Sequence, residues 1–145
     1  MNIEELLQQW EDDCIIDNDE PGIELIKIPL LHSKYLKILV KHKLILKKCN
    51  DELAIERKTK YNYYSGHYNT DKVMLAKLSL EPFKFLLKSD VSTYVDTDQA
   101  IITIKDKVAY HEEMVAICTS CMATLKQRTW ELKGYIDWER FKSGA

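Results

Sequence analysis

Between Ile101 and Ile136 apolar residues recur at steps of three and four: Ile101, Ile104, Val108, Val115, Cys118, Met122, Leu125, Leu132 and Ile136, with His111 as the polar member of the series. Side chains alternate faces along a strand and return to one face about every 3.6 residues along a helix, so this spacing predicts a helix with one apolar stripe. A stripe sustained over so many turns has to be covered along its length, which restricts the chain to packing helix against helix. A second row, Ile102, Ala109, Ala116 and Ala123, widens the stripe and predicts more than one neighbouring helix.

A matching long helix is predicted over about Ile23 to Tyr64. Leu39, Leu46 and Leu53 lie seven apart, with Leu36, Val40 and Cys49 within a turn of them. Pro29 either kinks this helix or marks its first turn, and Gly66 suits the left-handed residue that closes it. Four glycines and three prolines leave few other breaks. Asn2 to Asp13 is predicted as a short helix, with Asn2 as N-cap and Ile3, Leu6, Leu7 and Trp10 on one face. Asp17 to Gly22 is a turn and His67 to Lys77 a loop. Ser79 is expected to cap a short helix from Leu80 to Lys88 with Pro82 in its first turn. Asp96 and Gln99 are expected to form the capping box of the last long helix. The fold class is therefore all-α: a long-helix bundle with a short N-terminal helix. It forms a single domain, residues 1–145, in which 1–66 carry the acidic helix and the long basic helix. A loop and short helix occupy 67–95, and 96–145 form the C-terminal helices for assembly.

No apolar run approaches the roughly 20 residues of a membrane span, and Met1 to Trp10 is acidic and amphipathic, unlike a secretory leader. No membrane role is expected. Cys118 and Cys121 have CxxC spacing, but Cys14 and Cys49 lie in other helices, no histidine pair completes a zinc set, and no strand precedes the motif as in redox folds. Two small residues packed along a helix are the simpler reading. His111 is likewise read as a hydrogen-bonded core residue. Asp12-Asp13 and Glu112-Glu113 are read as surface charge. With no phosphate-binding glycine loop or nucleophile elbow either, the chain is expected to be non-enzymatic, with no cofactor and no metal.

The net charge of −2 conceals a polarity. Met1 to Glu24 holds nine acidic residues and no lysine or arginine, whereas Lys27 to Lys60 holds ten basic residues against three acidic ones. One sign concentrated along one element marks a surface for a polyanion, or a solvated helix face. The stripe ends in Glu56-Arg-Lys-Thr-Lys-Tyr-Asn-Tyr-Tyr-Ser-Gly66, where Arg57, Lys58 and Lys60 lead directly into Tyr61, Tyr63 and Tyr64. Cations for phosphates and aromatic rings for unstacked bases are what a single strand needs. Lysines in solvent with tyrosines packed on the core are the plainer alternative.

Lys58-Thr-Lys60-Tyr-Asn-Tyr-Tyr-Ser-Gly66 resembles the basic-x-basic-x-x-Tyr-Tyr-Ser-Gly segment of the UvsY family, the recombination mediators of T4-like bacteriophages. The resemblance extends upstream through Ile16-Asp17 and Leu31-His-Ser-Lys-Tyr-Leu36. It resumes at Val95-Asp-Thr97 and runs through the closing helices to Ser143-Gly144, but no family pattern covers Tyr68 to Leu80. It implies that Lys58 and Lys60 match the family's DNA-contacting cations, with lysine in place of arginine at the second. Arg57, Tyr61, Lys47, Lys48 and Lys41 complete the candidate DNA-binding set. The resemblance also implies a ring-shaped homo-oligomer of about seven subunits, on which single-stranded DNA wraps. By the same resemblance, wrapping is expected to strain the phage single-strand-binding protein's complex, and a RecA-like recombinase of the UvsX type is then expected to load, in the cytoplasm of the infected host. The aromatic tail supplies the candidate oligomerisation residues Trp130, Leu132, Ile136, Trp138 and Phe141. Two other readings stand beside this one: a structural phage oligomer without a DNA role, and a thiol enzyme using Cys118 and Cys121.

Overall fold

The computed structural model describes residues 1–83 and 87–144, and every regular element in them is helical. Along the chain these are α1 (Ile3–Asp13), α2 (Pro21–Tyr64), α3 (Lys72–Leu78), a 3₁₀ turn (Lys88–Asp90), α4 (Val91–Asp96) and α5 (Gln99–Lys142). The all-α expectation holds, and α5 runs unbroken through Lys126 to Trp130.

Local chemistry explains most helix ends. Asn2 and Glu5 form a reciprocal capping box at α1. Pro21 and Gly22, expected in a turn, are instead the first two residues of α2: proline lacks the amide that a first helical position leaves unbonded and brings a helical φ. The helix continues through Pro29, on an exposed side where water can take the carbonyl its missing amide leaves free. At the far end Gly66 is left-handed (φ 81°), its amide donates to the Tyr63 carbonyl, and that of His67 donates to Asn62. These are the two bonds of a Schellman closure.

The expectations between the long helices need correction. Lys72–Leu78 is helix rather than loop, because the Asp71 side chain caps the Met74 amide. Ser79 closes that helix in a left-handed conformation (φ 57°) instead of opening another. Leu80, residues 81–83 and Leu87 are not helical, Lys88 opens the 3₁₀ turn, and residues 84–86 of the expected Leu80 to Lys88 helix lie outside the described residues. The residue that caps α5 is Asp98, whose Oδ1 accepts from the Ala100 amide at 2.9 Å, while Asp96 ends α4.

The chain divides into two compact units, Met1–Leu44 with His111–Ala145, and Ile45–Tyr110, and each long helix contributes to both. In the first unit Leu6, Tyr35, Met114, Cys118 and Leu125 are fully buried. Asp13 is no surface charge: it takes Lys34 Nζ and the Tyr35 hydroxyl, each at 2.7 Å, and its backbone carbonyl accepts from the buried Arg128 at 3.0 Å. It sits at the end of α1 directly over Tyr35, where Trp10 also meets the Tyr35 ring edge-on and Arg128 covers Trp10. The α5 face is wide, as predicted, but widened by Met114, Cys121 and Arg128. Ala109, Ala116 and Ala123 are exposed. The reason is that α5 meets α1 through Arg128 and α2 through His111.

His111 is hydrogen-bonded, as expected, and its partner is His42: their Nδ1 atoms lie 2.8 Å apart, so one ring's N–H donates to the other. Burial first, then the neighbouring His111 and Lys41, hold His42 below its ordinary value of 6.5. A lowered folded value means stability that is present above pH 6.5 and lost as acid charges the ring. Urea midpoints should therefore fall below pH 6.5, and a His42→Gln variant should show a flatter decline over that range.

Candidate nucleic-acid interface

The last turns of α2 present two different faces. From Tyr35 onward the covered positions step by four and three through 39, 42, 46, 49, 53, 56, 60 and 63. Lys60, Tyr63 and Glu56 therefore fall on the covered face, whereas Arg57, Lys58 and Tyr61 fall on the exposed one. In the second unit the core of Val91, Val95 and Ile101 packs on Leu53 and Tyr64. Tyr63, Tyr64, Phe83 and Tyr94 form an aromatic cluster with ring centroids 4.9–5.7 Å apart, held by the Tyr63 hydroxyl donating to the Glu81 carbonyl. Tyr63 and Tyr64 thus pack internally.

Arg57, Lys58, Tyr61 and Asn62 form one wall of a cleft of about 400 Å³, and Ser92, Val95 and Asp96 of α4 form the other. Arg57 and Lys58 are exposed and have no ion-pair partner among the described residues, and Tyr61 is 43% exposed. The arrangement offers two cations for phosphate and one ring for stacking, opposite the Asp96 carboxylate, which Lys105 pairs at 3.5 Å. The α4 wall was missed in the sequence because a six-residue helix is too short to show a period, and Asp96 reads equally well as a cap.

The other cations marked in the sequence do not line this cleft. Lys60 is turned inward, with Nζ 3.6 Å from Asp98 and 4.0 Å from Glu56. Lys47 is exposed and pairs with Asp51 at 3.0 Å, and Lys48 is exposed beside it. Lys41 belongs to the first unit, on an apolar groove with Leu36, Val40 and Leu44. Among the tail residues Leu132 lies in the core of the first unit and Ile136 is half-buried, while Trp130 (66%), Trp138 (55%) and Phe141 (73%) are exposed.

The thiols are placed for packing. Cys118 and Cys121 are buried, and burial raises both, Cys121 to about 11 with Cys118 contributing. That is opposite to the activation a nucleophilic thiolate needs. Among the described residues no group of three His, Cys, Asp or Glu side chains is arranged to hold a metal ion, and no helix is long and apolar enough to cross a membrane.

Known proteins match this architecture and this sequence. The pattern of the family described as "Recombination, repair and ssDNA binding protein UvsY" matches residues 9–145. The chain is similar to "Recombination protein uvsY" of Enterobacteria phage T4, 23% identical over 147 residues that span 99% of both chains. It is similar in fold to the crystal structure of the bacteriophage T4 recombination mediator protein UvsY in lattice type II. That match has a TM-score of 0.86 at 21% identity and covers 99% of this chain and 98% of the other. Lattice type I gives a TM-score of 0.82 at 21% identity, covering 95% and 98%.

The cleft's support has a measurable signature. Burial first, then the hydrogen bond to Asp98 at 2.6 Å, hold the Tyr64 hydroxyl above its ordinary 10.0. A raised folded value means stability that is complete below pH 10 and lost as pH rises beyond it. Tyr64→Phe should cost about 1 kcal/mol at neutral pH and make the decline above pH 10 shallower. Urea melts from pH 7 to 11 on both proteins check this.

Proposed function

Because the chain belongs to the UvsY family of recombination, repair and single-stranded-DNA-binding proteins, we propose that it is a recombination mediator that acts by binding, without catalysis. The observation that carries this reading is the cleft in which exposed Arg57 and Lys58 stand beside Tyr61. A single strand runs with its phosphates on the two cations and a base against the Tyr61 ring. Lys48 and Lys47 extend the path back along the same helix; at 1.5 Å per residue they lie about 15 Å from Arg57 and Lys58. Lys41 adds charge on the first unit.

One such cleft binds weakly, and repetition gives strength. The protein assembles into a ring of about seven copies, which raises the effective concentration of the second and later contacts on one strand. Trp130, Trp138 and Phe141 supply the contact between copies, because large exposed aromatics at one helix end are what an interface buries. Wrapping the strand on the ring loosens the phage single-strand-binding protein from it and exposes DNA on which a RecA-like recombinase of the UvsX type loads. This work belongs to phage recombination, repair and recombination-dependent replication in the cytoplasm of the infected host. The similarity to the T4 protein, a recombination mediator, supports the role.

Two outcomes test it. Arg57→Ala with Lys58→Ala should weaken binding of a fluorescent oligo-dT by about tenfold or more and reduce the steepness of its salt dependence by about 1.4, or 0.7 per lost phosphate contact on a single strand. Helix content should stay unchanged by circular dichroism, and equal affinity in both proteins would remove the site. Phe141→Asp should shift the light-scattering mass to smaller species and weaken binding although the cleft is intact, since a buried unpaired carboxylate costs several kcal/mol.

A further inference from the structure

Lys60 sits in the basic run yet is not presented to solvent. Its side chain is 13% exposed and that of Asp98 10%. Asp98 is a junction. Its Oδ1 accepts from the Ala100 amide in the first turn of α5, and its Oδ2 accepts the Tyr64 hydroxyl at 2.6 Å and lies 3.6 Å from Lys60 Nζ. Among the described residues the partners of this carboxylate, Tyr64, Ala100 and Lys60, belong to the second unit, so the contact acts inside one compact body.

Its place in the chain gives it leverage over the cleft. Lys60 and Tyr64 are on the inner side of the α2 turns that carry Arg57, Lys58 and Tyr61 outward. Asp98 follows the α4 wall directly: Asp96 is two residues before it, Val95 three and Ser92 six. One carboxylate therefore backs the first wall and terminates the second. We propose that the Lys60–Asp98–Tyr64 junction sets the spacing between the two walls, so that Lys60 is a positioning residue for the strand site and does not itself touch the strand. The alternative, that Lys60 leaves Asp98 to pair with a phosphate, would strand a largely covered carboxylate with only Tyr64 and the Ala100 amide against its charge. A covered anion robbed of its cation is costly.

The inference rests on the strand-binding reading of the cleft, and its test separates the two. Oligo-dT binding of the full-length protein is titrated at a series of salt concentrations for the wild type and for Lys58→Ala, Lys60→Met, Lys60→Arg and Asp98→Asn. Lys58→Ala should lower both the affinity and the salt slope, the latter by about 0.7. Lys60→Met keeps the stem and loses the charge; it should weaken binding about three- to tenfold with the wild-type slope. Lys60→Arg, which keeps a cation for Asp98, should restore affinity. Asp98→Asn decides by its sign. It removes a negative charge beside a basic surface and keeps the side-chain oxygen that caps α5. A Lys60 that contacts DNA would then be released, so binding would tighten and the slope steepen. A positioning Lys60 requires binding to weaken at unchanged slope, to the same extent as in Lys60→Met. A slope loss of about 0.7 in Lys60→Met, or tighter binding by Asp98→Asn, overturns the inference and leaves the strand site standing. Wild-type affinity and slope in Lys58→Ala instead remove the strand site itself. Thermal melts of each variant establish that it is folded at the titration temperature.

Discussion

Largely covered carboxylates at helix ends hold this fold in register. A bundle of long helices with sliding apolar faces has no intrinsic register, since one turn of displacement along a stripe costs little in apolar burial alone. Asp13 closes α1 against the side of α2 through Lys34 and Tyr35, and its carbonyl anchors Arg128 of α5. Asp98 plays the same part at the junction of α4 and α5, where Lys60 and Tyr64 of α2 reach it. In both places a phenol and a lysine from neighbouring positions of α2 meet one acidic side chain. A largely covered anion without such partners would cost several kcal/mol, so each junction admits only the arrangement that satisfies it.

This constraint also divides the labour among the basic residues. A helix cannot turn all its cations outward, and the apolar period of α2 decides which ones face in. Lys60 lies on the covered face with Leu53 and Tyr63, whereas Arg57 and Lys58 lie across the helix with Tyr61. The basic run read as a linear motif is therefore two structures: an outer pair able to meet a phosphate, and an inner cation already engaged. The tyrosines divide in the same way, Tyr63 and Tyr64 to the aromatic cluster around Phe83 and Tyr61 to the cleft.

Much of the frame was legible in the sequence, because it depends on periodicity and on local end signals. The N-cap at Asn2, the left-handed close at Gly66 and the apolar series from Ile101 to Leu132 each needed only a few neighbouring residues to identify. What was not legible depends on contacts far apart in the chain. α3 and α4 are too short to be stable by propensity; they are held by Leu75, Val91 and Val95 entering the core of the second unit. Asp98 and Asp96 are two residues apart and chemically alike, and only the position of Lys60 and Tyr64 shows which one anchors α5. Nothing near Arg128 in the chain marks it as buried, yet its head is spent on the carbonyl of Asp13, 115 residues away. In the candidate site the sequence marked the α2 wall, whereas the α4 wall with Ser92 and Asp96 became visible only in three dimensions.

The central claim is that a single strand lies against the outer face of the last turns of α2, in the cleft that Tyr61 shares with α4. Ultraviolet cross-linking of a bromodeoxyuridine-substituted single strand, followed by mass-spectrometric mapping of the adducts, reads this directly, because the bond forms only where a base touches the protein. The principal adduct is expected on Tyr61, with its yield falling as salt is raised. Adducts confined to Tyr135, Trp138 and Phe141, with Tyr61 unmodified, would contradict it.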